Sequence, residues 1–384
     1  MSRTAGFVLL SFAFLVTMFG TTLPTPLYPL FQEKYSFGEL TTTVVFAIYA
    51  FGVIAGLLLF GALSDEIGRK PVLAAGLAFS AGSALLFVFA GSLVPIYAGR
   101  ILSGFSAGIF TGTATAALVD LVPGDRRRLA SLVAIVVNLG GLGLGTLIAG
   151  VIADHASSPL RLPFVVDLVL LAAAGVALAL TPETIRGRKH RLRLQRLAVP
   201  KEVRTVFIQG ATVGFASSAV AGLFGSVAPV FLAQELGETS HALAGGLVCL
   251  LFAFSALGQL AVSRLSDRRA LIYGCVIMVA GIVLLAIGLD AESLSALVAS
   301  SVLVGLGQGL GIGAALAAIN ERAPVERRGE TASSFFVALY VGLALPVIGV
   351  GIAAEAFGLK TAGIAFSVAV AALVGAVLAS LVRR

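Results

Sequence analysis

Twelve long apolar runs, each of about the length that crosses a bilayer, decide most of what this chain can become. They lie near residues 5–29, 41–63, 71–91, 94–118, 130–152, 162–181, 204–233, 242–263, 271–289, 293–318, 331–354 and 361–382. A helix crossing the hydrocarbon needs about 20 mostly apolar residues. Only a helix or a closed barrel satisfies its own backbone in lipid, and a barrel would alternate in segments of about ten residues. A soluble fold is excluded on composition: 58% of residues are hydrophobic and 12% charged, against about 45–50% and 25% in soluble domains. The 45 glycines suit helices that pack backbone to backbone. The sequence therefore predicts an all-α membrane protein with twelve transmembrane helices. The first run, after Arg3, shows no small-residue cleavage site before residue 30 and reads as a retained helix. Cys249 and Cys275 fall inside spans and read as small apolar packing.

The basic residues alternate with the gaps between runs. One side receives 22 of the 26, from Arg3, Arg69 and Lys70 through the eight bases of 186–204 to Arg383 and Arg384. The other receives Lys34, Arg161 and Lys360, and Arg100 lies within a span. This asymmetry places both termini and the 61–70 loop in the cytoplasm, in an inner (cytoplasmic) membrane crossed many times. It also explains the net charge of +7 without a nucleic-acid partner. His155, His190 and His241 all lie in loops and no HExxH pair occurs, so neither an enzyme nor a metal or other cofactor is expected. The expected partners are a small-molecule substrate, protons and the lipid bilayer, with the chain acting as a monomer.

The longest polar segment, "TPETIRGRKHRLRLQRLAVPKEVR", sits midway. It predicts a six-helix bundle over 1–181, a basic cytoplasmic linker over 182–203 and a second bundle over 204–384. The halves echo one another. Leu63-Ser64-Asp65 matches Leu265-Ser266-Asp267, and "GFSAGIFTG" in span 4 parallels "GLGQGLGIG" in span 10. Parallel six-helix repeats mark one class of secondary transporter, with the substrate site between the halves.

The loop "GALSDEIGRK" packs Asp65, Glu66, Arg69 and Lys70 between two apolar runs. Gly68 permits a tight turn, and Gly61 leaves the end of helix 2 bare for a close neighbour. Asp65 can meet the positive start of another helix, while Arg69 and Lys70 can meet Asp120 at the end of span 4. Gly61-x-Leu63-x-Asp65-x-x-Gly68-Arg69-Lys70 resembles the signature loop of the major facilitator superfamily at every defining position. The resemblance implies a conformational latch: Asp65 caps helix 11 near Thr331–Ser334, and Arg69 pairs with Asp120 when the protein faces outward. Around Asp267, Ser263 and Ala270 replace the glycines. Three further stretches resemble the drug:proton antiporters: "FGTTLPTPLYP" in span 1, "RILSGFSAGIFTG" in span 4, and "NLGGLGLGTLIAG" in span 5. In the last, Thr146 stands near the usual proline.

Arg100 lies roughly six residues, about 9 Å, from the outer end of its span. Such a charge is a functional candidate by default, either facing the cavity or reaching the headgroups. Asp167 is the acid clearly inside a span. It is a candidate proton carrier, or a structural partner of Arg161, with Asp65 and Asp120 as the alternative proton acceptors. Thr21, Thr25, Tyr49, Asn138, Gln209, Gln259, Gln308 and Tyr340 are the polar residues expected to line a central cavity of few charges. These features point to a secondary active transporter that exports small lipophilic or weakly polar compounds against protons by alternating access. A sugar or small-metabolite permease, in either direction, is the alternative.

Overall fold

The computed structural model describes residues 2–185, 195–324 and 327–383. Twelve helices in it are long and apolar enough to span: α1 (Arg3–Tyr35), α2 (Glu39–Phe60), α3 (Arg69–Val88), α4 (Leu93–Asp120), α5 (Gly124–His155), α6 (Leu162–Leu180), α7 (Lys201–Ser226), α8 (His241–Arg264), α9 (Asp267–Asp290), α10 (Leu294–Arg322), α11 (Arg328–Phe357) and α12 (Leu359–Val382). Each corresponds to one apolar run of the sequence. Two runs behave differently from expectation, and proline explains both. In α1, Pro24 and Pro26 have no N–H to give to the preceding turn. The helix tightens to a 3₁₀ turn at Thr25–Leu27 and then continues to Tyr35, past the expected end at 29. The seventh run, expected to reach 233, divides after Ser226. A short helix, Ala228–Gln234, starts afresh with Pro229 in its first turn.

One buried apolar cluster runs from Leu10 to Leu178 and takes in Val347, while another runs from Val213 to Leu381. α1–α6 and α7–α12 thus each enclose a core. The internal echo in sequence has a structural counterpart. Gly104 and Gly108 of α4 back onto the carbonyls of Tyr49 and Val53 in α2. In the second half, Gly305 and Gly309 of α10 back onto those of Leu251 and Ser255 in α8. Small residues replace the hydrophobic drive that lipid cannot supply.

The halves meet along two seams, α2 with α11 and α5 with α8. Ala47, Ala50 and Ala344 close the first, where Gly351 also meets Thr43. In the second, Gly245 and Gly150 sit against the carbonyls of Thr146 and His241. The Thr146 hydroxyl donates within its own helix to Gly143 at 2.8 Å and lies 2.9 Å from the Gly245 carbonyl across the seam. Both seams are tight in the half of the molecule away from the basic loops. That end is the outer end, and the end carrying the termini and the 61–70 loop is the basic end.

Candidate functional site

The first half holds a buried charge at its centre. Arg100 of α4 is 2% exposed. Its guanidinium donates to the Thr21 carbonyl of α1 at 2.8 Å, and to the Val45 and Phe46 carbonyls of α2 at 3.3 and 3.5 Å. It also lies 4.5 Å from the ring centre of Tyr49 and 5.7 Å from that of Phe46, within cation–π range. The planar fork of arginine suits this spread of acceptors better than a point-charge ammonium. Among the described residues no carboxylate pairs with it, so the headgroup-reaching alternative is replaced by a tie among three helices.

Asp167 of α6 is also 2% exposed, and its Oδ1 has no hydrogen-bond partner. The carboxyl lies flat against Gly20 of α1, where a Cβ would stand 2.6 Å from Oδ2. No pairing with Arg161 occurs among the described residues. Gly20 and Thr21 therefore separate the two buried ionisable groups, one on each side of α1.

The other polar residues divide. Thr21, Tyr49 and Arg100 gather at the α1–α2–α4 crossing, and Tyr340 of α11 faces Tyr49 and Thr111 there, linking the halves. Tyr28 is fully buried beside Arg100 with its hydroxyl unpartnered. Gln308 of α10 is 6% exposed, with Oε1 unpartnered. Thr25 sits in the 3₁₀ turn, which packs on α5 and α8 near the outer end. Asn138 is half-buried on α5. Two expectations change. Gln209 turns to α12, its amide donating to Ser380 at 3.1 Å, because the glycine side of α7 faces α10 and α11 instead. Gln259 lies along Gly309 and Gly313 of α10, filling a glycine groove within its own half.

At the basic end, Arg69 brings the loop together. Its Nη1 meets Asp65 at 2.7 Å and Ser64 at 2.7 Å, and its Nε meets Asp120 at 3.4 Å. The Asp65 side chain is 64% exposed and, among the described residues, lies on Arg69 and not on α11. Thr331 and Ser334 instead bond back to Arg327 and Glu330. The linker occupies the intervening space: the Gln195 N–H donates to the Leu58 carbonyl at 2.9 Å, and its side chain stands near Gly61 and Gly329. Gly61 is thus approached by a linker side chain and not by a helix. Gly68 has φ of 107°, a conformation that favours glycine.

Glu183 was not legible as a functional residue. Its carboxylate accepts from the Arg69 and Lys70 N–H groups at 3.0 Å each, capping the start of α3, while Lys70 Nζ donates to the Ala179 and Thr181 carbonyls. The "PET" stretch fixes the loop from 114 residues away. The remainder of the basic linker, 186–194, lies outside the described residues.

At the outer end, Asp154 of α5 reaches the first residues of α8. Its Oδ1 accepts from the His241 N–H at 2.7 Å and lies 2.8 Å from His241 Nδ1. Its Oδ2 accepts from the Ser240 hydroxyl at 2.8 Å and the Ala242 N–H at 3.0 Å. Glu39 of α2 accepts from Gln32 and, across the halves, from Gln234 at 3.0 Å. The sequence carried no local signal for these contacts, since an acid at a helix end is common.

Twelve spans around two cores, meeting at a polar centre and joined by hydrogen bonds across the halves at the outer end, have the architecture of a membrane transporter and not of an enzyme. The sequence model described as Major Facilitator Superfamily matches residues 10–347, and the chain belongs to that family. It is 31% identical over 150 residues to the class H tetracycline resistance protein of Pasteurella multocida, covering 38% of this chain and 36% of that one. A bicyclomycin resistance protein homolog of Haemophilus influenzae is 28% identical over 187 residues, covering 47% and 45%. The matched stretches span less than half the length of these curated relatives. Among solved structures, a bacterial homolog of the human lysosomal transporter Spinster, described as inward-facing and unoccupied, superposes with a TM-score of 0.74. That likeness covers 99% of this chain and 98% of the other at 14% identity, and it shows the shared fold.

Proposed function

We propose that this transporter exports small lipophilic or weakly polar compounds in exchange for protons, working by alternating access with its basic end in the cytoplasm. The observation that carries the reading is Asp167. A carboxyl group buried in a span, with no cationic partner among the described residues, can take up and release a proton without breaking an ion pair. The resistance proteins among the relatives support the export of such compounds. So does a centre lined by Tyr28, Tyr49, Phe46 and Tyr340 more than by charge. The basic residues support the orientation, with Arg69, Asp65 and Asp120 as the cytoplasmic latch and Arg100 as the central tie.

In the structure the seams are closed at the outer end and Asp65 is off α11, which supports a state open toward the basic end. Arg69 nonetheless keeps Asp120, the pair that the resemblance implied for the outward-facing state. Purified protein in proteoliposomes, screened with lipophilic compounds with and without a pH gradient, tests the reading. Proton-driven accumulation is expected, and Asp167→Asn should abolish it while keeping downhill exchange. Flux insensitive to the gradient for every transported compound would overturn proton coupling. Transport of sugars alone would favour the permease.

A further inference from the structure

The outer contacts of Asp154 repeat, in mirror image, the contact expected of Asp65. In this family each six-helix half contains two three-helix units of inverted topology, so α2 and α5 occupy equivalent places with opposite direction, as do α8 and α11. The seams follow that relation: α2 lies on α11, and α5 on α8. Asp65 follows the basic end of α2 and is expected on the start of α11. Asp154 ends α5 at the outer side and sits on the start of α8.

The outer contact is made in full. Both Asp154 oxygens are occupied, by two N–H groups of the first turn of α8, the hydroxyl of its N-cap Ser240 and the His241 ring. A carboxylate on a helix start meets both free N–H groups and the positive end of the dipole. Here every donor belongs to the opposite half. The α2–α11 seam shows a related approach. Glu355, near the outer end of α11, places Oε1 3.2 Å from where a Cβ on Gly38 would stand, and Gly38 is the N-cap of α2. At the basic end the equivalent acid Asp65 is turned inward to Arg69 of its own half.

We propose that Asp154 is an outer clasp, the mirror counterpart of Asp65, which holds the outer end shut by capping α8 and must let go in every transport cycle. The clasp at one end is made while the clasp at the other is unmade. This rests on the alternating-access reading, but the test needs no substrate, so a failure to find flux and a failure of the clasp are separate results.

Spin labels at exposed Ser157 and Glu235, in full-length protein with Cys249→Ala and Cys275→Ala, report the outer separation by electron–electron distance measurement. Asp154→Asn should lower the ratio of short to long distances about tenfold, equal to about 1.4 kcal/mol. Ser240→Asp keeps an N-cap side chain for α8 but sets a like charge against Asp154, and it should shift the ratio the same way. Asp65→Asn should raise it. Distributions in both outer variants that match the parent overturn the clasp. An Asp65→Asn distribution that is unmoved, or moves with the outer variants, overturns the pairing of the two ends.

Discussion

Gly150→Ala isolates the steric part of outer closure from its electrostatics. A Cβ at this position of α5 would fall on the His241 carbonyl oxygen, 2.6 Å from the His241 carbonyl carbon and 2.8 Å from the Ala242 Cα. All three atoms are main chain, so no side chain can rotate out of the way. Carbon atoms settle about 3.5–4.0 Å apart, so α8 must retreat by roughly 1 Å at this level. Overpacking of this kind costs about 1–3 kcal/mol, and only the outer-closed state bears it. The ratio of closed to open should therefore fall about 5- to 150-fold. The gain in helix propensity from Gly to Ala, up to about 1 kcal/mol, acts on α5 in both states and cancels.

Native Cys249 provides the assay. It lies on α8 against Gly143 of the same seam, with Sγ 3.3 Å from a Cβ placed there. Its rate of reaction with a membrane-impermeant maleimide added from the outer side should rise in Gly150→Ala. Buried Cys275 should stay unlabelled. Gly140→Ala, on the same helix with nothing within 4 Å, should leave the rate unchanged. Equal Cys249 rates in Gly150→Ala and the parent would refute the claim that this seam parts when the outer end opens.

Two further substitutions test the contacts that position the site. Arg100→Lys replaces the planar fork, whose three nitrogens each meet a different carbonyl, with donors that all radiate from one atom and do not match that spread. Losing one charge-assisted bond should cost about 1.5–3 kcal/mol, read as earlier thermal unfolding in detergent, and an unchanged melting curve would remove Arg100 as a tie. Glu183→Ala leaves the first N–H groups of α3 without their cap, worth about 1 kcal/mol. Hydrogen exchange at Arg69 and Lys70 should quicken while exchange at the centre of α3 does not, and equal protection would show that the cap is dispensable.

Span number and the division of charge between ends were legible because lipid imposes both through length and composition, which one sequence displays. The loop at 61–70 was legible because its residues are contiguous, but Arg69 meets Asp120 here with the outer end closed, whereas the resemblance implied that pair for the outward-facing state. The contacts of Glu183 and Asp154 were not, because each depends on how helices distant in sequence come together. Gln209 shows the same limit in reverse. Its polarity marked it for the centre, but rotation of α7 on its glycine face aims it at Ser380. Asp65 shows another limit. A motif states which contact can form, whereas a structure in one state shows which contact is made.

The separation of Arg100 from Asp167 bears directly on how a proton could move helices. Had the two been paired, protonation would have broken a buried ion pair, which is costly when one partner stays behind charged. Instead Arg100 keeps its carbonyls and its aromatic face whatever the carboxyl does. The shared element is α1, with Gly20 against the carboxyl and the Thr21 carbonyl on the guanidinium. A Cβ at 20 would stand 2.6 Å from Oδ2, so the carboxyl would have to shift to admit one. A change in the charge or hydration of Asp167 therefore acts first on the backbone of α1. A few residues further on, α1 breaks at Pro24–Thr25–Pro26, and that turn packs on α5 and α8, the pair whose outer ends Asp154 joins. A contiguous packed path thus runs from the buried carboxyl to the outer seam along one helix, the connection that the proposed proton coupling would use. At that turn proline has already removed hydrogen bonds that would resist bending of α1.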